Sequence, residues 1–178
     1  MELTRFRAKD VTELLSWIET ESDMVRWAGA AFCWPLTARQ FRRHLLAAAL
    51  GPPTLYPFGL YDGEAIRGYC ELADYRRQAG SAMLARVMVR PDERRRGWGQ
   101  FMVRAAVAFG FEQLGLHRIG LGVFDCNDTA QRCYRRVGFT KEGLLRDSAQ
   151  VNGAYWSCHV MSILRHEWQQ NGAADDRS

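Results

Sequence analysis

The stretch Val87-Met88-Val89-Arg90-Pro91-Asp92-Glu93-Arg94-Arg95-Arg96-Gly97-Trp98-Gly99-Gln100 decides how the rest of the chain is read. Its first residues are β-formers, and Pro91, which has no N–H to give to a ladder, stops a strand there. Three consecutive arginines then lead into two glycines one residue apart, where a long helical pattern begins. A helix start leaves N–H groups without intrahelical partners and carries partial positive charge. Glycine lets a bulky group approach the backbone, and arginine adds charge-assisted hydrogen bonds. The junction therefore suits an anion, and a pyrophosphate is the natural ligand. A solvated basic loop whose glycines only turn the chain is the alternative. Two other phosphate-binding patterns fit poorly. The third glycine of a dinucleotide fingerprint would fall at Met102, and the chain has no Gly-Lys pair for a phosphate loop.

Working outward, Gly97 to Leu114 reads as a helix, with Trp98, Phe101, Met102, Ala105 and Phe109 at helical spacing, closed near Gly115. A strand, His117–Phe124, follows, then a helix from Asn127 to Val137 ended by Gly138. Phe139–Leu145 and Tyr155–Leu164 form the last strand pair. Upstream, Asp62-Gly63 joins strands Thr54–Tyr61 and Ala65–Tyr75, a strong hairpin signal, and Ala82–Arg90 is the next strand. Strand, helix, strand across Ala82–Val123 requires a parallel crossover in an otherwise antiparallel sheet. The fold class is thus α/β with a mixed sheet. At the N-terminus, Glu2–Arg7 is an edge strand and Asp10 caps a helix from Val11 to about Glu19. Ser22–Pro35 is irregular or a short helix. Thr37 caps a helix to about Leu50, with Phe41, Leu45 and Leu46 inward, ended by Gly51-Pro52-Pro53.

Length allows one domain of ordinary size, read as residues 1–170 with a polar, flexible tail at 171–178. With 47% apolar and 25% charged residues, the composition is that of a globular protein. No apolar run reaches the ~18–20 residues of a membrane span, and the first residues hold no secretory apolar core. A cytoplasmic protein without a membrane partner is expected. Net charge is +4, and only two of the 24 basic residues are lysines. The arginines cluster between Arg86 and Arg96 without interleaved aromatics or a reading motif, so no nucleic-acid partner is expected. Five cysteines, an odd number with no Cys-x-x-Cys, read as small hydrophobes, and no metal is expected.

Asn127, Ala130 and Tyr134 lie on one face of their helix. Asn127 caps the helix or reaches a ligand, Ala130 leaves room, and Tyr134 presents a phenol inward. A core tyrosine with one satisfied hydrogen bond is the plain alternative. Together with Arg94-x-x-Gly97-x-Gly99 and Gly138-Phe139, these residues resemble the GNAT superfamily of acyl-CoA-dependent N-acetyltransferases, over roughly Ala65 to Leu164. The Gly138-Phe139 pair, Asn152-Gly153 and the ending Met161-Ser162-Ile163-Leu164 look like the branch that acetylates ribosomal-protein N-termini. Tyr155-Trp156-Ser157 stands where that branch commonly has an aspartate.

The resemblance implies a splay between the strands at Leu84–Val89 and His117–Phe124. Pantetheine of acetyl-CoA would lie there against Val87, Met88 and Val89, the amide of Val89 polarising the thioester carbonyl. The pyrophosphate would sit on Arg94, Arg95, Arg96, Gly97, Trp98, Gly99 and Gln100, with Asn127 and Ala130 beside it. Tyr134 would donate a proton to the departing thiolate. An amine attacks directly, so no acyl-enzyme is needed. Glu71 is the first candidate for the base, its alternative being a salt bridge to an arginine such as Arg86. His117, His159 and a water chain are weaker ones. Trp27, Phe32, Trp34, Tyr155 and Trp156 belong to the acceptor side, a lid or a dimer surface. The expected activity is acetyl transfer to a primary amine, of a small molecule or a protein N-terminus, with a homodimer possible in such a family. A non-catalytic acyl-CoA sensor is the rival.

Overall fold

The computed structural model describes residues 1–47 and 53–175. The expected Gly51-Pro52-Pro53 stop lies largely outside them. Seven strands form one sheet in the order β1-β2-β3-β4-β5-β7-β6. They are β1 (Glu2–Arg5), β2 (Tyr56–Asp62), β3 (Ala65–Arg76), β4 (Ser81–Val89), β5 (Arg118–Phe124), β6 (Thr140–Val151) and β7 (Ala154–Leu164). Every neighbouring pair is antiparallel except β4 and β5. Helices α1 (Val11–Ser16), α2 (Glu21–Ala28), α3 (Ala38–Ala47), α4 (Trp98–Glu112), α5 (Asp128–Val137) and α6 (Arg165–Asp175) complete the chain. The α/β mixed sheet with one parallel pair is the expected class.

Strand alternation divides the core in two. In β3, Cys70 and Leu72 point to the cluster under α4 and α5, while Tyr69 points to the cluster under α1 to α3, where Ile66 joins it because the register with β2 slips by one residue between them. Phe41 of α3 is fully buried in the second, packed edge-on to Tyr69 with ring centroids 5.6 Å apart. Burial of a side chain of this size stabilises by roughly 2–3 kcal/mol.

The register of β4 against β3 shifts between Tyr69 and Glu71, and Arg86 takes a left-handed φ of 50°. This bulge changes which face each later residue of β4 meets. Leu84 lies under α4 and α5, but Met88 faces α1 to α3, while Val87 and Val89 pack on the first cluster. Trp27 of α2 holds the bulge, its Nε1 donating to the Arg86 carbonyl at 2.8 Å.

Several local expectations change. Asp10 precedes α1 without capping it by its side chain; its carboxylate instead accepts from the buried Tyr61 hydroxyl at 2.8 Å. The helix ends at Ser16, short of Glu19. Ser22–Pro35 contains a well-formed helix, α2, whose cap is Thr20 accepting from the Asp23 N–H at 3.1 Å. Thr37 does begin α3, accepting from the Gln40 N–H, but Leu46 is exposed rather than inward. In α4 the buried face is Met102, Val103, Ala106, Val107 and Phe111, and Phe101 is exposed. That helix is apolar almost all round, so periodicity alone selects no face. β6 runs on to Val151, and α6 extends through Asp175, into the stretch read as a tail.

Candidate functional site

β4 and β5 pair only at Ser81↔Arg118, Ala82↔Ile119 and Met83↔Gly120. Beyond Met83 the strands part, and residues 84–89 of β4 have a strand neighbour only on the β3 side. A cavity of about 740 Å³ opens there. Val87, Met88 and Val89 form one wall.

The next wall is the turn into α4. Arg95 and Gly97 both take left-handed φ, 63° and 84°, which turns the chain sharply before the helix. Consecutive amides in such a conformation make an anion-binding concavity. The first backbone bond of α4 runs from Phe101 N to Gly97 O, so the N–H groups of Trp98, Gly99 and Gln100 precede the intrahelical ladder. Arg94, Arg95, Gly97, Gly99 and Gln100 line the cavity. A Cβ placed on Gly97 would meet nothing within 4 Å, so its open side faces free space.

α5 supplies the third wall. Asn127 lines the cavity and also caps the helix, its Oδ1 accepting from the Ala130 N–H at 3.3 Å. Ala130 and Tyr134 follow on the same face. Tyr134 is 8% exposed, yet its hydroxyl has no hydrogen-bond partner among the described residues. Burial pushes the phenol above its ordinary value, with Cys133 and Cys70 adding to the effect, so it keeps its proton at neutral pH. The satisfied core tyrosine expected as the alternative is not what is found.

Three expected site residues stand apart from this group. Arg96 points to solvent and bonds Glu93 at 3.0 Å. Trp98 packs against the core, its ring edge-on to Phe101. Glu71 does not line the cavity; it is fully buried on the α1 to α3 side of the sheet. Its carboxylate pairs with Arg86, accepts from the Tyr69 hydroxyl at 2.9 Å and meets His44 Nε2 at 3.1 Å. Burial, together with the Arg86 charge, holds His44 down at about 4. The imidazole is therefore neutral at pH 7, and the contact is a hydrogen bond from Nε2–H rather than an ion pair. Glu71 thus occupies its alternative role, the partner of Arg86. His117 and His159 do not line the cavity either.

Sequence reasoning misses several lining residues. Thr129, Arg132, Cys133 and Arg136 of α5 face the cavity at i, i+3, i+4 and i+7, a spacing visible in the sequence beside Asn127-Ala130-Tyr134. From the N-terminal side come Trp17, Asp23, Arg26 and Trp27. Of the aromatics expected here, Trp27 lines the cavity and Phe32 packs behind it, while Trp34 and Tyr155 are exposed. Trp156 lies under the Arg26 guanidinium, 5.3 Å from the ring centroid.

A mixed sheet opened at its parallel pair, with a helix start and arginines at the opening, defines an α/β fold of GNAT type. The chain belongs to the acetyltransferase (GNAT) family, whose model matches residues 13–139. It is 37% identical over 75 residues to the uncharacterized N-acetyltransferase YoaA of Bacillus subtilis, 42% of each chain. It is 32% identical over 66 residues to the putative ribosomal N-acetyltransferase YdaF of Bacillus subtilis, 37% of this chain and 36% of the other. A spermidine N(1)-acetyltransferase of Vibrio cholerae is 29% identical over 82 residues, 46% of this chain and 47% of the other. The chain spans less than half the length of the curated relatives it matches. Among solved structures, a spermidine N-acetyltransferase from Vibrio cholerae in complex with CoA and spermine superimposes with a TM-score of 0.82. The match covers 94% of this chain and 97% of that one at 19% identity, a likeness of fold alone.

Proposed function

We propose that this chain catalyses transfer of an acetyl group from acetyl-CoA to a primary amine. The observation that carries the reading is Tyr134, a buried, protonated phenol without a hydrogen-bond partner among the described residues, at the wall of a cavity between parting strands. A sensor that only binds has no use for such a proton donor. Acetyl-CoA supplies a thioester whose carbonyl carbon an amine can attack. The unpaired side of residues 87–89 offers backbone groups to a polar, extended chain, as a further strand would. The α4 start with Arg94 and Arg95 suits a diphosphate. As the new N–C bond forms and the C–S bond breaks, the Tyr134 hydroxyl passes its proton to the leaving sulfur. The proton shed by the amine leaves to water in the cavity, since Glu71 does not line it and its carboxylate is held by Arg86. Direct transfer needs no acyl-enzyme, and the Cys133 thiol, raised by burial, is not activated.

For the acceptor, the relatives' names point to spermidine in one case and to a ribosomal acceptor in another. The N-terminal wall favours a single amine on an apolar or peptide body. Trp17 and Trp27 supply apolar surface, and both carboxylates lining the cavity are already paired. Asp23 bonds Arg26 at 3.2 Å, and Glu93 bonds Arg96 at 3.0 Å and Arg67 at 3.5 Å. A polycation would need carboxylates left free for it. Acetyl-CoA turnover measured across monoamines, peptides with free N-termini and polyamines is the test. Transfer to one of the first two classes is expected, with polyamines slower. Faster turnover of polyamines would overturn the acceptor assignment, and no transfer to any amine would overturn the activity.

A further inference from the structure

We infer that the outer face of α3, formed by Arg39, Arg42, Arg43 and Leu46, is a docking surface for an acidic amphipathic segment of a partner protein. The surface lies outside the cavity, and the inference goes beyond acetyl transfer.

α3 has two unlike sides. Phe41 is fully buried, with His44 and Leu45 half-buried beside it. Arg39, Arg42, Arg43 and Leu46 recur at i, i+3, i+4 and i+7 on the other side, and all are exposed. The polar side chains of α3 that bond the fold are Gln40, to Cys33 and Pro35, and His44, to Glu71. The guanidiniums of Arg39, Arg42 and Arg43 have no hydrogen-bond or ion-pair partner among the described residues.

This arrangement works against the helix itself. Arg39 stands in the first turn, at the positive end of the helix dipole. It also repels Arg42 and Arg43, three and four residues on. No acid relieves them from nearby sequence, since Met24 to Tyr61 contains neither aspartate nor glutamate. Elsewhere on the surface of the N-terminal half, arginines are matched. Arg7 meets Glu64 at 2.8 Å, Arg26 meets Asp23 at 3.2 Å, and Arg90 meets Asp92 at 3.0 Å. A helix face that breaks local rules this consistently is shaped by something other than its own folding.

The composition of the face gives the partner class. Leu46 is 64% exposed and continues the arginine stripe one turn beyond Arg42 and Arg43. Arginine beside exposed apolar surface is the make-up of a protein interface. A nucleic-acid strand would call for aromatic platforms, and this face carries none. The complement is an apolar side chain flanked by carboxylates, which the guanidinium fork binds two oxygens at a time. Phe41 packs on Trp27 with ring centroids 5.7 Å apart, and Trp27 lines the cavity. A segment docked on α3 therefore lies one helix behind the acceptor wall.

Fluorescence anisotropy of the intact protein with a labelled, N-acetylated helical peptide of leucine and glutamate tests this. The comparison probes are the same peptide with glutamine for glutamate, and labelled polyuridylate. The glutamate peptide should bind about tenfold or more tightly than the glutamine one, the preference shrinking as salt rises. R39Q/R42Q/R43Q should lose that preference, and Leu46→Gln should weaken both peptides. The unfolding midpoint of the triple variant should equal or exceed that of the wild type, because the repulsion is gone; lost binding is then not lost folding. Saturating coenzyme A should leave peptide affinity within about twofold, placing the peptide outside the cavity. Equal binding of the two peptides, a triple variant that keeps the preference, Leu46→Gln without effect, or displacement of the peptide by coenzyme A would overturn the docking surface. Polyuridylate bound as tightly as the acidic peptide would overturn the partner class.

Discussion

One arginine within β4 and four around the cavity beside it are treated by the fold in opposite ways. Arg86 is turned into the α1 to α3 side, where Glu71 pairs with it and Tyr69 and His44 bond the same carboxylate. Arg94, Arg95, Arg132 and Arg136 border the open cavity with no carboxylate to match them among the described residues. A charge removed from water must find its counter-charge within the fold, because the desolvation cost is several kcal/mol per ion. A charge at the edge of a cavity stays hydrated until a ligand replaces the water. Matched charge here belongs to the architecture, and unmatched charge marks the ligand. Tyr134 follows the same division: buried like Tyr69, it lacks the partner that Tyr69 has.

The sharpest way to break this division is Tyr134→Phe. Loss of a general acid should lower turnover by about 10²–10⁴-fold, while acetyl-CoA affinity stays within about twofold. Steady-state rates and a binding titration on the same sample check it, and unchanged turnover would return the phenol to the packing residues. Next in size is Glu71→Ala, which leaves Arg86 buried without its partner. Urea unfolding should show a loss of about 3–5 kcal/mol, with acetyl-CoA affinity of the folded protein unchanged. A variant that folds with wild-type stability but loses turnover would move Glu71 into the active site.

The smallest effect is a pH slope. His44 sits near 4 in the folded chain against an ordinary 6.5. Between those values the unfolded chain takes up a proton that the folded one refuses. Its contribution to stability is therefore complete above pH 6.5 and is lost as pH falls toward 4. His44→Gln should flatten the fall between pH 7 and pH 5, read as unfolding midpoints. An identical fall in the variant would show that His44 is not the group responsible.

The legible parts of the molecule were those with local chemical causes. Asp62-Gly63 closes the β2–β3 hairpin with Gly63 at φ 59°, and Gly138 ends α5 at φ 112°. The parallel crossover and the parting of β4 from β5 follow from element order and from the family resemblance. The α4 face was not legible because apolar residues surround the whole helix. For Glu71 the sequence left a base and a partner of Arg86 both open, because the bulge that turns Arg86 toward it is announced by no pattern in β4. Arg132 and Arg136 were hidden among arginines on both sides of α5, and only packing of Cys133 on Gly99 separates them from Arg135. Trp17, Asp23 and Arg26 reach the cavity by tertiary packing of α1 and α2, which sequence spacing does not encode.

That the coenzyme lies between the parted strands and against the start of α4 is tested most directly by amide hydrogen exchange with and without acetyl-CoA. Slowed exchange at residues 87–89 and 97–100, with β1 unaffected, is the expected result. Binding that protects other segments, or saturating acetyl-CoA that leaves both of these unchanged, would contradict it.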